Sequence, residues 1–585
     1  MRTCRRFLAA VLLVAGLAGI PTAQASDRVS GGAGRIRHIV VIFQENVSFD
    51  HYFGTYPVAA NPPGDPAFHA APGTPHVVNL LNTALLTHNP NRANPQRLRR
   101  FDWPLCDLSH DYDPELREWN GGKMNRFVQE SVDYERSDRP GPGYGSLPPG
   151  VTGGVTDPSC AKPIPGHQSD QATNKEVMDY YDGNTVTALW NYAQHGVLFD
   201  QSFDPTFGPS TPGALNLISG QTGGVVVPPG SDDKHPCTDL HWALDLLRDC
   251  YAPSGTRTLF NGDTDLRDGV VVGDPDPAFD QCASTNVVKM TGRNIGNLLN
   301  THHVTWGFFE GGFRPTAPAH GNHKAVCGAQ HTIHNPANGL TVTKTDYTAH
   351  HEPFQYYKST ANPKHLPPTS IERIGRTDRA NHQYDMSDFR TALQHGVMPA
   401  VSFLKAPRYQ DGHAGYSDPL DEQRFLVDTI NRIERSKFWS STAIFIAYDD
   451  SDGFYDQVSP PILNFDTAMI PGPVVDGVQW PGNMCHPAPD APNPSISPIP
   501  DRCGYGPRLP MLVISPWVKP NSVDSSTIST DAILRFIEDR FAGGERISSA
   551  SLDNIAGSLD SVFSAERPHL QRLILNPGTG EPVRR

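Results

Sequence analysis

Two apolar runs in this 585-residue chain end in oxygen donors. Ile39-Val40-Val41-Ile42-Phe43 leads into Gln44-Glu45-Asn46, and Ile444-Phe445-Ile446-Ala447 leads into Tyr448-Asp449-Asp450. If the two runs lie side by side in one sheet, Glu45, Asn46, Asp449 and Asp450 meet at its edge. Three carboxylates in that space repel one another unless a cation neutralises them. Asp and Asn are also ordinary turn formers, and Asp449 to Gly453 reads equally well as a turn. A third segment, Asp204-Pro205-Thr206-Phe207-Gly208-Pro209-Ser210-Thr211-Pro212-Gly213, is a tight turn into the helical stretch Ala214 to Ser219. It puts Ser210 near a helix amino end, where unpaired N–H groups and the helix dipole suit an anion such as phosphate. Ser or Thr at that place also commonly serves as an N-cap. Among 24 histidines, His110, the adjacent His350 and His351, and His413 stand out. Each can stabilise an anionic transition state or protonate a leaving group, or can be a plain surface or core histidine.

Buried strands and the helices between them must position these groups. Ile39–Phe43, Val197–Phe199, Val401–Leu404, Thr442–Ala447 and Met511–Ser515 read as strands covered on both faces. Val186–His195, Gln423–Glu434 and Asp531–Phe541 carry apolar residues at helical spacing. The second of these helices falls between two strands, which implies a parallel sheet. The fold class is α/β, a mostly parallel central sheet flanked by helices, with ligands beyond the carboxyl ends of the strands. Pro57 to Arg100 and Asn335 to Asn381 carry few signals and read as long loop excursions around the site. With no clean linker and no internal repeat, residues 26–585 read as one catalytic domain with a core at about 36–541 and an irregular carboxy-terminal tail.

Composition narrows the function classes. With 48 Lys+Arg against 62 Asp+Glu the formal charge is -14, which argues against a nucleic-acid platform. The 55 prolines are about twice the ordinary share of roughly 5%, and point to long, punctuated loops. Arg2, Arg5 and Arg6 precede the apolar run Phe7 to Ile20, and Ala23-Gln24-Ala25 has the small-x-small pattern of a cleavage site. Residues 1–25 therefore read as a secretory signal, and the chain as secreted or periplasmic. No apolar run reaches the roughly 20 residues of a membrane span. Once Cys4 leaves with the signal, Cys106, Cys160, Cys237, Cys250, Cys282, Cys327, Cys485 and Cys503 remain. An even number in an oxidising compartment favours disulfides of undetermined connectivity.

The residues Ile36-Arg37-His38-Ile39-Val40-Val41-Ile42-Phe43-Gln44-Glu45-Asn46-Val47-Ser48-Phe49-Asp50-His51-Tyr52-Phe53-Gly54 closely resemble the opening motif of the bacterial phosphoesterase family that includes phospholipases C and the AcpA-type acid phosphatases. Trp119-Asn120-Gly121-Gly122-Lys123-Met124, the Gly208-Pro209-Ser210 turn, Tyr448 to Asp456 and Gly506 to Pro516 look like later family blocks in the same order. The resemblance implies an alkaline-phosphatase-like core and one divalent ion held by Glu45, Asn46, Ser210, Asp449 and Asp450. It implies that Ser210 is the nucleophile and that His110, His350, His351 and His413 surround the phosphate. Family phospholipases usually carry Thr at the nucleophile turn and the acid phosphatases Ser, so Ser210 leans to the phosphatase branch. Val47 and Gln457 replace the usual Arg and His of their blocks, and Ser529-Thr530-Asp531 departs from an Asp-His-Thr-like run.

The expected function is phosphomonoester hydrolysis of the acid-phosphatase type through a phosphoserine. The alternative is a phospholipase C acting on phosphodiesters such as phosphatidylcholine, and a second alternative is a noncatalytic phosphate- or glycan-binding protein on the same scaffold. A sulfatase is disfavoured, since no Cys or Ser sits in the pattern that is oxidised to an aldehyde nucleophile. Substrates are a small phosphate ester or a phospholipid headgroup. The oxygen-rich donor set suits Ca²⁺, Mg²⁺ or Mn²⁺, and Zn²⁺ also accepts carboxylates. Oligomeric state is not legible.

Overall fold

The computed structural model describes residues 32–130, 176–228, 266–267, 270–283, 287–464, 474–475, 478–479, 503–564 and 566–583. The signal segment 1–25 and Cys160, Cys237, Cys250 and Cys485 lie outside the described residues.

Eight strands form the central sheet: β1 (His38–Gln44), β2 (Val197–Phe199), β3 (Trp306–Glu310), β4 (Gln383–Asp385), β5 (Val401–Lys405), β6 (Thr442–Tyr448), β7 (Met511–Ile514) and β8 (Ser522–Asp524). Their order is β4-β3-β5-β1-β6-β7-β2-β8. The pairs β4/β3, β3/β5, β5/β1, β1/β6 and β2/β8 are parallel. Only β7 runs antiparallel to both neighbours. The two runs that end in oxygen donors are thus adjacent, with His38 opposite Thr442 and Gln44 opposite Tyr448.

Alternation along β1 explains why both faces are apolar. Val40 and Ile42 pack with one core and Ile39, Val41 and Phe43 with the other, each at most 2% exposed. Burying such side chains contributes roughly 1.5–3 kcal/mol apiece. That is enough to hold the strand end in place while it presents charged groups. Of the helices, α1 (Phe49–Phe53), α2 (Tyr112–Trp119), α3 (Thr187–His195) and α5 (Pro419–Arg435) pack with the first core. Helices α4 (Ser210–Ser219) and α6 (Asp531–Phe541) pack with the second. The sequence places the start of α5 one turn late, because its first turn is polar. The side chain of Asp418 caps the N–H groups of Leu420 and Asp421, and Pro419 takes the first helical position.

Strands β3, β4 and β8 are missing from the sequence reading. Gln383-Tyr384-Asp385 and Ser522-Val523-Asp524 are three-residue edge strands too polar to announce themselves, and Gly307 interrupts β3. Both predicted excursions are present. Pro57 to Arg100 holds short 3-10 turns, at Leu80–Asn82 and Ala84–Leu86, and a single bridge from Arg97 to Tyr180. Asn335 to Asn381 contributes the second strand of a hairpin, Thr341–Thr345, and the turn Ala349–His351 that carries two of the candidate histidines. Cys282 is joined to Cys327, and Cys106 and Cys503 are also disulfide-bonded.

Candidate active site

The site lies where β1, β5 and β6 end. Glu45 and Asn46 follow β1 directly, Asp449 and Asp450 follow β6, and Lys405 is the last residue of β5. Asn46 adopts a left-handed backbone, φ 42°, a conformation that Asn tolerates better than most residues. Its N–H donates to Asp449 Oδ1 at 3.3 Å. The loop after β5 runs alongside, with Glu45 N donating to the carbonyl of Asp411 at 2.9 Å.

Ser210 enters from the other side as the first residue of α4, after Pro209 at the N-cap position. Its hydroxyl does not cap the helix. The Oγ lies 3.0 Å from Glu45 Oε2, 3.0 Å from Asp450 Oδ2 and 3.4 Å from Asn46 Oδ1. Helix α4 can come this close because of Gly213. A Cβ there would stand 2.3 Å from the carbonyl oxygen of Asp449. Glu115 ties the two segments together, accepting from Gly208 N at 2.8 Å and from Ser451 Oγ at 2.6 Å.

The arrangement carries more acceptors than protons. A hydroxyl has one hydrogen, yet three side-chain oxygens crowd Ser210 Oγ, and Glu45, Asn46 and Asp450 are fully buried. Burial and then Asp449 push the Glu45 carboxyl well above its ordinary value, against the pull of Lys405. Burial likewise raises Asp450, with His110 opposing. An oxygen cage of this kind, with carboxylates that cannot all be charged on their own, fits a hard divalent cation. Asp449 stands one step out, its Oδ2 accepting from Lys405 Nζ at 3.0 Å. Lys405 also contacts Glu45.

Two of the four candidate histidines, His110 and His351, touch this cage, and His413 packs against the first. His110 Nε2 is 3.5 Å from the Asn46 amide nitrogen, and its ring centroid lies 6.0 Å from that of His413. His351 Nε2 is 3.4 Å from Glu45 Oε1. His350 turns outward, with Nδ1 3.5 Å from Asp276 and its ring packed edge-on against His351. Their environments differ sharply. Burial opposes protonation of His110, but Asp450, Asp452 and Asp107 outweigh it and hold its pKa well above the ordinary imidazole value. Burial, followed by Lys405, holds His351 well below that value, and burial with His110 does the same to His413.

Asp107, His110, His413 and Asp452 form a second cluster, their ligand atoms all within 4.8 Å of one another. Its donor set could hold a metal ion. His110 Nδ1 is 2.6 Å from the Leu108 carbonyl and His413 Nδ1 is 2.5 Å from that of Ala414, and a carbonyl can only accept, so both Nδ1 atoms carry protons and Nε2 is the ring nitrogen left to serve as a ligand. His110 Nδ1 also faces Asp452 at 3.2 Å, an ion-pair geometry.

Lys405, Asp107, Asp452 and Glu115 are absent from the sequence reading. Lys405 shows the same signal as Glu45, a charged residue closing the apolar run Val401–Leu404, and Asp452 sits inside a run already singled out. Asp107 and Glu115 have no local signal. Of the departures from the resemblance, Val47 is buried, and Gln457 points away to Thr83 Oγ1 at 3.3 Å.

The non-haemolytic phospholipase C of Burkholderia pseudomallei is 30% identical over 188 residues, covering 30% of this chain and 24% of that protein. Phospholipase C A of Mycobacterium tuberculosis is 25% identical over 183 residues, covering 31% of this chain and 32% of that protein. The aligned stretches thus span about a third or less of those relatives. A Vibrio parahaemolyticus protein of the alkaline phosphatase superfamily is similar in structure over 63% of this chain and 64% of its own, at 12% identity and a TM-score of 0.24. That slight likeness adds nothing to the match in sequence. The Phosphoesterase family matches residues 36–542, a span that holds all eight strands of the sheet and every residue of the cage, and the chain belongs to that family.

Proposed function

We propose that this chain hydrolyses phosphate monoesters, with Ser210 as nucleophile and a phosphoserine as intermediate. The observation that carries the reading is the Ser210 hydroxyl at a helix amino end, within 3.0–3.4 Å of Glu45, Asn46 and Asp450, with His110 Nε2 3.5 Å from the Asn46 amide nitrogen. Glu45, Asn46, Ser210, Asp449 and Asp450 would hold one divalent ion. Such an ion, when bound, depresses the pKa of the serine hydroxyl and offsets negative charge on the phosphoryl oxygens.

The chain's own groups do the rest. Ser210 Oγ gives its proton to the carboxylate at 3.0 Å and attacks phosphorus in line, and the bond from phosphorus to the alcohol oxygen breaks. His110, held as imidazolium by Asp450, Asp452 and Asp107, supplies the proton that the departing alkoxide needs. Water then attacks the phosphoserine and frees Ser210 with inorganic phosphate. A secretory leader in residues 1–25 would place this activity outside the cytoplasm. Among the described residues no helix is long and apolar enough to cross a membrane.

A second reading, a phospholipase C, is favoured by the names of the relatives. Ser210 and a cage recessed below the surface, with Ser210 4% and His413 6% exposed, favour the smaller substrate. Metal-stripped protein with single ions restored, assayed side by side on p-nitrophenyl phosphate and p-nitrophenyl phosphorylcholine, tests the choice. Turnover of the choline ester alone would overturn the monoester reading, and tight phosphate binding with no turnover under any ion or pH would favour a noncatalytic binder.

A further inference from the structure

Lys405 is the one lysine whose ammonium reaches the cage among the described residues, and it is 1% exposed. Strand β5 delivers it from beside β1, and the Phe43 ring lies 5.2 Å from its Nζ. Glu45 is shared between two groups: Oε2 accepts from Ser210 at 3.0 Å while Oε1 contacts Lys405. Asp449 Oδ2 completes the ammonium's surroundings at 3.0 Å. Two-metal phosphoryl-transfer sites use the same layout, with a carboxylate shared between two cations roughly 3.5–4 Å apart.

We propose that Lys405 is a built-in cation standing where a second metal ion would bridge Glu45 and Asp449, so that the cage takes one divalent ion and no more. Charge supports this. Glu45, Asp449 and Asp450 carry up to three negative charges, a Ser210 proton passed to one of them leaves that total unchanged, and one divalent ion with one ammonium offsets three. Without the ammonium, a single divalent ion leaves Glu45 Oε1 and Asp449 Oδ2 buried with no positive partner, which is the condition that recruits another cation. The ammonium cannot be removed by a chelator, so only one ion has to be captured from the surroundings. The inference rests on Glu45, Asp449 and Asp450 being metal ligands.

The test uses the full chain, stripped with a chelator and titrated with Mn²⁺ by calorimetry, with electron paramagnetic resonance of the loaded protein. Wild type and Lys405→Arg are expected to bind one equivalent and show an uncoupled Mn²⁺ spectrum. Lys405→Ala is expected to bind two equivalents and show a spin-coupled pair. Two equivalents with a coupled spectrum in wild type, or one equivalent of unchanged affinity in Lys405→Ala, would overturn the role of Lys405. If Lys405→Ala does not fold, Lys405→Met, uncharged and of similar length, takes its place with the same two outcomes. Asp450→Asn separates the two levels. A wild-type affinity that Asp450→Asn leaves unchanged removes the metal reading itself. A tenfold or greater weakening keeps that reading, and the Lys405 proposal then stands or falls on the stoichiometry.

Discussion

Ser210 Oγ lies 3.0 Å from Asp450 Oδ2, although 240 residues separate them in the chain. The contact exists because Gln44 and Tyr448 are register partners at the ends of two adjacent parallel strands, and α4 docks its first residue onto the acceptors that follow them. Two loops with no local relationship become one anionic cage.

Removing the hydroxyl should abolish turnover without unfolding the protein. Ser210→Ala is expected to lower kcat on p-nitrophenyl phosphate by about a thousandfold or more, since the residual rate would come from binding and electrostatics alone. The thermal midpoint should stay level or rise, because the deletion removes a buried polar group. A fully active variant would refute the nucleophile assignment.

Asp452 should set the alkaline limit of activity. Its carboxylate faces His110 Nδ1 at 3.2 Å and helps to raise the His110 pKa. A proton donor with a raised pKa remains loaded as pH climbs through neutrality and is lost only above that raised value. Asp452→Asn weakens the pull, so the descending basic limb of kcat/KM should move to lower pH by about one unit or more. An unmoved limb would take His110 out of the role of proton donor.

Chelation should lower stability together with activity. Buried Glu45 and Asp450 have carboxyl pKa values raised largely by burial, so the stripped protein holds them partly protonated or under repulsion. Restoring an ion at about 100 times its Kd should add about 2.7 kcal/mol, visible as a higher Tm in calorimetry. A Tm indifferent to both chelator and ion would count against the cage as a metal site.

Gly213→Ala tests the docking of α4. The new methyl would stand 2.3 Å from the Asp449 carbonyl oxygen, so backbone must shift. Overpacking of this kind costs about 1–3 kcal/mol. The urea midpoint should fall, and the affinity for the restored ion should fall with it as Ser210 moves off the acceptors. Retained ion affinity would separate helix docking from cage assembly.

Arg508 should matter for stability and little for chemistry. Fully buried, it pairs with Asp456 at 3.0 Å and Asp50 at 3.2 Å and packs 4.1 Å from the Phe49 ring, joining the segments after β1 and β6. Arg508→Ala leaves two carboxylates buried without a cation and should cost about 3–5 kcal/mol, read as a lower urea midpoint. Whatever fraction folds should keep the wild-type pH profile.

The sequence alone was sufficient for the sheet's centre and for the chemical inventory. The apolar runs of β1, β5 and β6 are long enough to be strands buried on both faces, and the donors that follow them are adjacent in the chain, so both signals are local. Ser210 at a helix start was legible for the same reason. Its alternative role as an N-cap could be discarded only when the hydroxyl was seen facing Glu45 and Asp450. Asp452 and Glu115 act through partners dozens to hundreds of residues away, and a group that finds its partner only across the fold leaves no periodicity behind. The four histidines looked equivalent in the chain. Tertiary structure separated them, because protonation depends on which carboxylates, cations and apolar walls surround each ring: three acids face His110, an ammonium and burial face His351, and His350 turns toward Asp276.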